Sequence, residues 1–208
     1  MQPSSWPQKA KPLLIWCGEA GVRVYAAAHC HASPENALKQ ARIALDKKES
    51  LRSAGRIFRL MFDEDQIGAK TLDEIRGAEG FRVKTLYEKI SNDFSVLWTG
   101  RDVTKNNNRL NQSISYANAC LYGIAEAAIL SLGLNPGIGI LHRGDPRSFV
   151  FDVADTIKFK TVVPAAFQIF DQPGEISSIT RRKCRDVFRE HKVMERLVEN
   201  IEKIISEN

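Results

Sequence analysis

The chain has 208 residues, 43% of them hydrophobic, which is enough to bury the core of one large domain or two small ones without disulfide bonds. Its four cysteines form no CxxC pair, which argues against a disulfide framework or a zinc knuckle and favours a reducing cytoplasm. The formal net charge of +5 suits a polyanionic partner but is modest for this length, so charge alone does not establish nucleic-acid binding.

No targeting or membrane segment is expected. The N-terminal stretch MQPSSWPQKAKP is polar, with no apolar segment behind its lysines, so it is not a secretory signal. The longest apolar stretch, residues 117–132, contains Asn118 and Glu126 and is shorter than the roughly 20 residues that a membrane-spanning helix needs. We therefore expect a cytoplasmic protein that does not bind membranes.

The N-terminal region is predicted to form a β-hairpin. Strands are expected at residues 13–17 and 22–27, around the turn sequence GEAG. Two strands alone are marginally stable in water, so this hairpin needs further strands from a partner chain, from a missing N-terminal region, or contacts with the helical body. We expect it to take part in dimerisation.

The rest of the chain is predicted to be mainly helical, because apolar residues recur at helical spacing. Ser33 is expected to cap a helix that begins at Pro34 and breaks near Gly55. A helix around Asp152 is expected to bend or end at Pro164. The other helices are predicted at residues 72–90, 110–132, 178–191 and 194–205, and loops at residues 99–108 and 137–147.

The segment 110–132 is apolar almost all round, which is typical of a buried central helix. The helix that follows it is also apolar, yet it carries Asp152, Asp155 and Lys158 at every third position, on one face spread over about 120°. Carboxylates among such neighbours are costly unless a cation, a metal or hydrogen bonds compensate them. Two interpretations stay open: a functional site, and a buried Asp/Lys ion pair that only fixes helix packing.

Two further residues, His142 and Glu79, are candidate ligands. Glu79 lies between Gly77 and Gly80, and because glycine costs a helix roughly 1 kcal/mol relative to alanine, the pair suggests close approach of another backbone or a phosphodiester. A loop or core histidine, a surface glutamate and a helix break at Gly77 are the alternatives. Together with an aspartate, these side chains are a credible ligand set for Mn²⁺, with Mg²⁺ possible.

Basic residues crowd near the C-terminus and in the segment from Lys39 to Arg59. Taken alone, either cluster is better explained as a solvated helix face than as a DNA contact, because acids such as Asp186 are interspersed among the basic residues. The C-terminal cluster comprises Arg181, Arg182, Lys183, Arg185, Arg189 and Lys192.

Four segments carry a family resemblance: GEAGVRVYA, GAEGFRV, CLYGIAEAAILSLGLNPGIGILHRGDPRSFVFDVADTIKFKTVVPAAF and KCRDVFR. Together they resemble the CRISPR-associated spacer integrase, the larger and catalytic of the two adaptation proteins, in its type I-E-like form. The resemblance implies a mainly α fold, with a helical metal-dependent catalytic domain at residues 31–208. Residues 1–30 would be a residual β-hairpin from a truncated N-terminal domain, which in this family mediates homodimer formation.

The resemblance also implies site residues. The family's metal triad falls on Glu79, His142 and Asp155, which would hold Mn²⁺ or Mg²⁺. Lys158 and Asp152 match positions that support the metal or the DNA, and Tyr122 matches a tyrosine near the reacting DNA. Arginines expected to hold DNA phosphates are Arg23, Arg181, Arg182 and Arg185.

One departure from the family lies in the loop after W-x-G. Related members tend to carry a tyrosine there that helps splay DNA ends, whereas this chain has Arg101, Asp102 and Val103. The resemblance therefore implies weaker strand separation.

The implied reaction is a transesterification, in which the 3′-hydroxyl of a short DNA fragment attacks a phosphodiester at the leader–repeat boundary of a CRISPR array. The implied partners are double-stranded DNA with 3′-hydroxyl ends, the leader–repeat DNA, a second copy of the chain and a small ferredoxin-like adaptation protein. Two other functions stay open: a non-catalytic DNA-binding remnant of the same family, and a metal-dependent nuclease acting on branched repair intermediates.

Overall fold

A computed structural model describes residues 14–17, 24–28, 34–65, 68–101 and 108–206. Two short strands, β1 (Leu14–Cys17) and β2 (Val24–Ala28), pair antiparallel, with Leu14 opposite Ala28. The remaining regular structure in these ranges is helical, as predicted. The helices are α1 (Pro34–Leu45), α2 (Lys47–Phe62), α3 (Leu72–Asp93), α4 (Arg109–Ser131), α5 (Ser148–Lys158), α6 (Val162–Ile169), α7 (Ile176–Glu190) and α8 (Val193–Ile204).

The central helix of the fold is α4, which packs against α5, α6, α7 and α8. Its apolar residues Ile114, Leu121 and Ile129 are fully buried. The prediction of a buried central helix is therefore confirmed, because an apolar surface on nearly every side can be covered only by neighbours on every side. None of the described helices is long and apolar enough to span a bilayer.

The predicted helix break near Gly55 is wrong, because α2 runs through Gly55 and the chain breaks at Asp46 instead. The Asp46 carboxylate caps α2 by accepting hydrogen bonds from the amides of Lys48 and Glu49, at 2.9 and 2.8 Å. An N-cap satisfies amides that have no partner inside the helix, whereas one glycine costs only about 1 kcal/mol, which packing offsets. Ser33, the predicted cap of α1, lies outside the described residues.

The prediction for Pro164 is also corrected. The helix that carries Asp152 ends at Lys158, before the proline is reached, and Pro164 lies in the first turn of α6. A proline is tolerated there because first-turn amides have no intrahelical acceptor to lose. The aspartate helix is therefore a short, separate element wedged against α2, α4 and α8.

Two of the four cysteines lie in the described helices. Cys120 on α4 and Cys184 on α7 are free thiols.

Candidate metal centre

The three predicted metal ligands lie together although they come from three separate parts of the chain. Glu79 is on α3, His142 is in the loop between α4 and α5, and Asp155 is on α5. Each offers one ligand atom, and these atoms all lie within 4.8 Å of one another. Glu79 and His142 are half-buried and Asp155 is buried, so the cluster is partly exposed to solvent.

The position of Asp155 follows from the packing of α5. Phe149, Val150, Val153 and Ala154 are fully buried and hold the helix in the core. Asp155 therefore cannot turn towards water and is only 5% exposed. A buried carboxylate is costly unless an opposite charge or hydrogen bonds compensate it, and for Asp155 these can come only from the residues around it.

Asp152, fully buried one turn before Asp155, organises the histidine loop. Its Oδ2 accepts hydrogen bonds from the amides of Ile140 and Leu141, at 2.6 and 3.2 Å. Its Oδ1 accepts from the amide of His142 and lies 2.8 Å from His142 Nδ1. A carboxylate only accepts, so Nδ1 carries a proton, and in the neutral ring Nε2 keeps its lone pair for a metal, the arrangement that orients histidine ligands.

The charges in this cluster shift one another's pKa values. Burial raises the pKa of the Glu79 carboxyl, and the nearby charge of Asp155 raises it further. Burial alone would lower the pKa of His142, but the hydrogen bond and charge of Asp152 outweigh it, so the pKa is raised. Burial raises the pKa of Asp152, against the opposing effect of its hydrogen bonds. The cluster thus holds an excess of carboxylates that favours a cation.

Lys158 is paired with the triad aspartate. Its Nζ lies 2.7 Å from Asp155 Oδ1, and the side chain is 12% exposed. Burial would lower the pKa of Lys158, but the charge of Asp155 and the neighbouring Tyr122 raise it, so the ammonium stays charged. A buried Asp/Lys ion pair was the alternative to a functional site in the sequence analysis. The structure contains this ion pair, between Asp155 and Lys158, and it lies within the candidate site.

Tyr122 lies on α4 beside this ion pair. Its ring packs edge-on against Phe151, with the centroids 5.1 Å apart, and burial raises the pKa of its hydroxyl, with a further contribution from Asp155. The phenol therefore stays protonated at neutral pH and is available as a hydrogen-bond donor.

The donor set fits a divalent metal ion. Two carboxylates and one imidazole are ligands that Mn²⁺ accepts readily, and Mg²⁺ also binds such oxygens. Asp155 Oδ1 is buried and, beyond its ion-pair contact with Lys158, receives no well-aligned hydrogen bond from the described residues. A cation bound between the three side chains would compensate that oxygen.

The glycines beside Glu79 do not break the helix, because α3 runs through both Gly77 and Gly80. No atom of the described residues lies within 4 Å of a Cβ placed at either glycine. The predicted close approach of another backbone is therefore not made by the described part of the chain. Within the described residues, the helix surface at these two glycines is open.

The predicted phosphate-binding arginines of the C-terminal cluster lie on α7, outside the triad. Arg182 and Arg185 are exposed, and Arg185 pairs with Asp186 at 2.9 Å. Arg181 is half-buried and donates to the hydroxyl of Ser177 at 3.1 Å. Arg23 lies outside the described residues.

Sequence reasoning missed several residues that hold the histidine loop. Arg76, one turn before Glu79, donates from Nε to the carbonyl of Leu141 at 2.8 Å. Arg143 donates to the carbonyl of Ala44 at 3.0 Å. Gly139 is required because a Cβ there would lie 2.1 Å from the carbonyl oxygen of His142. The glycine spacing in GIGIL was a signal for this tight loop, whereas nothing local marked the two arginines.

Comparisons with known proteins show which proteins this chain is similar to. The chain is 42% identical over 200 residues to CRISPR-associated endonuclease Cas1 of Escherichia coli strain K12, covering 93% of this chain and 66% of the relative. It is 42% identical over 208 residues to CRISPR-associated endonuclease Cas1 3 of Methanospirillum hungatei JF-1, covering 97% of this chain and 70% of the relative. A solved TtCas1–DNA complex matches with a TM-score of 0.81 at 32% identity, over 94% of this chain and 75% of that chain.

The chain thus spans about two thirds of the length of the curated relatives that it matches. Residues 22–203 match the family model for CRISPR associated protein Cas1. This match covers most of the chain, and the resemblance seen in its motifs is confirmed. The chain belongs to the CRISPR associated protein Cas1 family.

Proposed function

We propose that this chain is a CRISPR adaptation integrase, which inserts short DNA fragments into a CRISPR array by metal-dependent transesterification. The observation that carries the proposal is the convergence of Glu79, His142 and Asp155 within 4.8 Å, in a chain of the Cas1 family. Relatives named as endonucleases, and a TtCas1 structure that contains DNA, support a DNA substrate.

In this proposal residues 31–208 are the metal-dependent catalytic domain, and residues 1–30 correspond to the end of the family's N-terminal β-domain. The assembly is a homodimer that works with a small ferredoxin-like adaptation protein in the cytoplasm. The helix surface at Gly77 and Gly80, which no described residue covers, is where the phosphodiester would approach.

In the mechanism, Glu79 and Asp155 would each supply a carboxylate oxygen to Mn²⁺ or Mg²⁺, and His142 its Nε2. When bound, a divalent cation polarises the scissile phosphate and stabilises the charge that develops during displacement. Asp152 keeps the His142 ring in the orientation that presents Nε2. The 3′-hydroxyl oxygen of the incoming strand would bond to phosphorus and lose its proton, while the 3′-oxygen on the leader side of the attacked phosphodiester would leave and take up a proton. The displacement is direct, so no covalent enzyme intermediate is needed.

Lys158 and Tyr122 complete the site. Because its pKa is raised, the Lys158 ammonium stays positive and provides a fixed charge beside the phosphate. The Tyr122 phenol, protonated and packed on Phe151, would contact the strand end. The arginines of α7 and Arg23 would hold the DNA backbone without reading sequence.

A strand-transfer assay tests the proposed function. A labelled duplex with 3′-hydroxyl ends is incubated with leader–repeat DNA, the purified chain and its small adaptation partner, while Mn²⁺ or Mg²⁺ is titrated. We expect a joined product that appears only with the divalent ion. DNA binding without any metal-dependent joining or nicking would instead identify a non-catalytic remnant, and nicking of branched DNA without joining would identify a nuclease.

Arg181→Ala and Arg185→Ala are expected to weaken DNA binding several-fold, about equally for unrelated sequences. Each arginine that contacts a phosphate displaces about one counterion, so the slope of log affinity against log salt should fall by about 1 for each arginine removed. Fluorescence anisotropy on two unrelated duplexes over a range of salt concentrations measures both quantities. A loss confined to one of the two sequences would contradict this positioning role.

A further inference from the structure

The loop that carries His142 is held from outside the metal centre by α1. Gln40 on α1 is fully buried and contacts this loop with both ends of its side-chain amide. Its Nε2 donates to the carbonyls of Asn135 and Ile138, at 2.9 and 2.8 Å, and its Oε1 accepts from the amide of Asn135 at 2.8 Å. These three hydrogen bonds connect positions about a hundred residues apart in the chain.

The contact made by Gln40 adjoins the contact made by Asp152. Gln40 fixes the carbonyl of Ile138, and Asp152 fixes the amide of Ile140 at 2.6 Å and those of the next two residues. Only Gly139 lies between them, with no space for a side chain. The backbone before His142 is therefore held from two sides by two different helices.

The residue after His142 in the chain, Arg143, makes a second contact with α1. Arg143 donates to the carbonyl of Ala44, near the C-terminal end of α1, at 3.0 Å, and to the hydroxyl of Ser50 on α2 at 2.9 Å. The loop is thus attached to α1 on both sides of His142. A displacement of α1 would have to move the backbone that carries the ligand.

We propose that Gln40 is a positioning residue for the metal centre, which sets the place of His142 through the carbonyl of Ile138. This inference rests on the proposed function, since it takes His142 to be a metal ligand. Metal ligands bind weakly when their backbone is free to move, because ordering the loop then opposes binding. Gln40 lowers that cost by holding the loop in place before the metal arrives.

The test compares Gln40→Met with Asn36→Ala in the full chain. Asn36 is a matched control because it also joins α1 to the segment after α4, donating to the carbonyl of Leu132 at 2.7 Å, which is ten residues before His142 in the chain. Mn²⁺ alone is titrated without DNA, and free Mn²⁺ is followed by electron paramagnetic resonance. We expect the Kd for Mn²⁺ to rise roughly tenfold in Gln40→Met, as for other residues that orient metal ligands, and to stay within about twofold in Asn36→Ala.

A milder variant and a metal-free measurement complete the test. Gln40→Asn keeps the amide group but is one methylene shorter, so it should give an intermediate Kd even if Gln40→Met folds poorly. Histidine ring NMR of the metal-free protein should show the Nδ1-protonated form of His142 as one species in wild type and as a mixture in Gln40→Asn, with His191 unchanged. This signal reports positioning even if the wild type binds no Mn²⁺, a result that would overturn the proposed function instead.

Equal rises in the Kd for Mn²⁺ in Gln40→Met and Asn36→Ala would overturn the inference, because Gln40 would then only attach α1 to the body. An unchanged His142 signal in Gln40→Asn would also overturn it.

Discussion

Replacing any one of Glu79, His142 and Asp155 by alanine is expected to abolish Mn²⁺-dependent strand transfer. Each replacement removes one of three protein ligands, and we expect the rate to fall roughly a thousandfold or more, which corresponds to about 4 kcal/mol of lost transition-state stabilisation. The strand-transfer assay measures the rate at saturating DNA. Joining at near the wild-type rate in any of the variants would remove that residue from the site.

Loss of activity has to be separated from loss of fold, and Glu79→Gln does this best. The raised pKa of Glu79 means that its ionised form is less favourable in the folded chain than in the unfolded one. Stability is therefore lost as pH rises from the unfolded pKa to the raised folded pKa, and the loss is complete above it. Glutamine carries no charge, and we expect the variant to be at least as stable as wild type at pH 7 to 8. Thermal unfolding without metal measures this stability.

Asp155 behaves differently, because removing it leaves Lys158 without its partner at only 12% exposure. Breaking a buried ion pair from one side costs about 3 to 5 kcal/mol, so Asp155→Ala is expected to lose stability as well as activity. The double variant Asp155→Asn with Lys158→Met serves as its control, since it removes both charges and should recover stability without recovering joining.

The sequence predicted the helices well and the breaks between them poorly. The apolar pattern of α4 was sufficient to identify a buried central helix, because burial on every side needs no long-range information. The helix break was predicted at Gly55 because glycine weakens a helix. Packing offsets that cost, and the chain breaks instead where the Asp46 carboxylate caps α2. Capping side chains locate such breaks better than glycine does.

The site could be predicted only in part. The residues themselves show that Asp152 and Asp155 need compensation, but the spacing of Glu79 and His142 carries no information about their convergence, which came from the family resemblance. The compensation of Asp152 by three backbone amides could not be read from the sequence, since it depends on the path of a loop around Gly139. Gln40 was unpredictable for the same reason, because its partners lie about a hundred residues away.

Asp152→Asn is expected to damage the metal centre without replacing a metal ligand. Asparagine has the same shape, but its Nδ2 is a donor, and any orientation turns it towards a backbone amide or the Nδ1–H of His142, where an acceptor is required. We expect a loss of about 2 to 4 kcal/mol of unfolding free energy, measured by denaturant titration, because buried donors lose their partner. The Kd for Mn²⁺ should rise roughly 10- to 100-fold, as for other residues that orient metal ligands.

Asp145→Asn provides the matched control, since it is the same substitution in the same loop at an exposed carboxylate that accepts a hydrogen bond from the amide of Arg147. Its effect on stability should stay within about 0.5 kcal/mol, as for other surface changes. Wild-type stability in Asp152→Asn would mean that this carboxyl is protonated in the folded chain, in the direction that burial pushes its pKa. In that case a neutral acid, and not a carboxylate, would face His142, and the lone pair on Nε2 would no longer be assured.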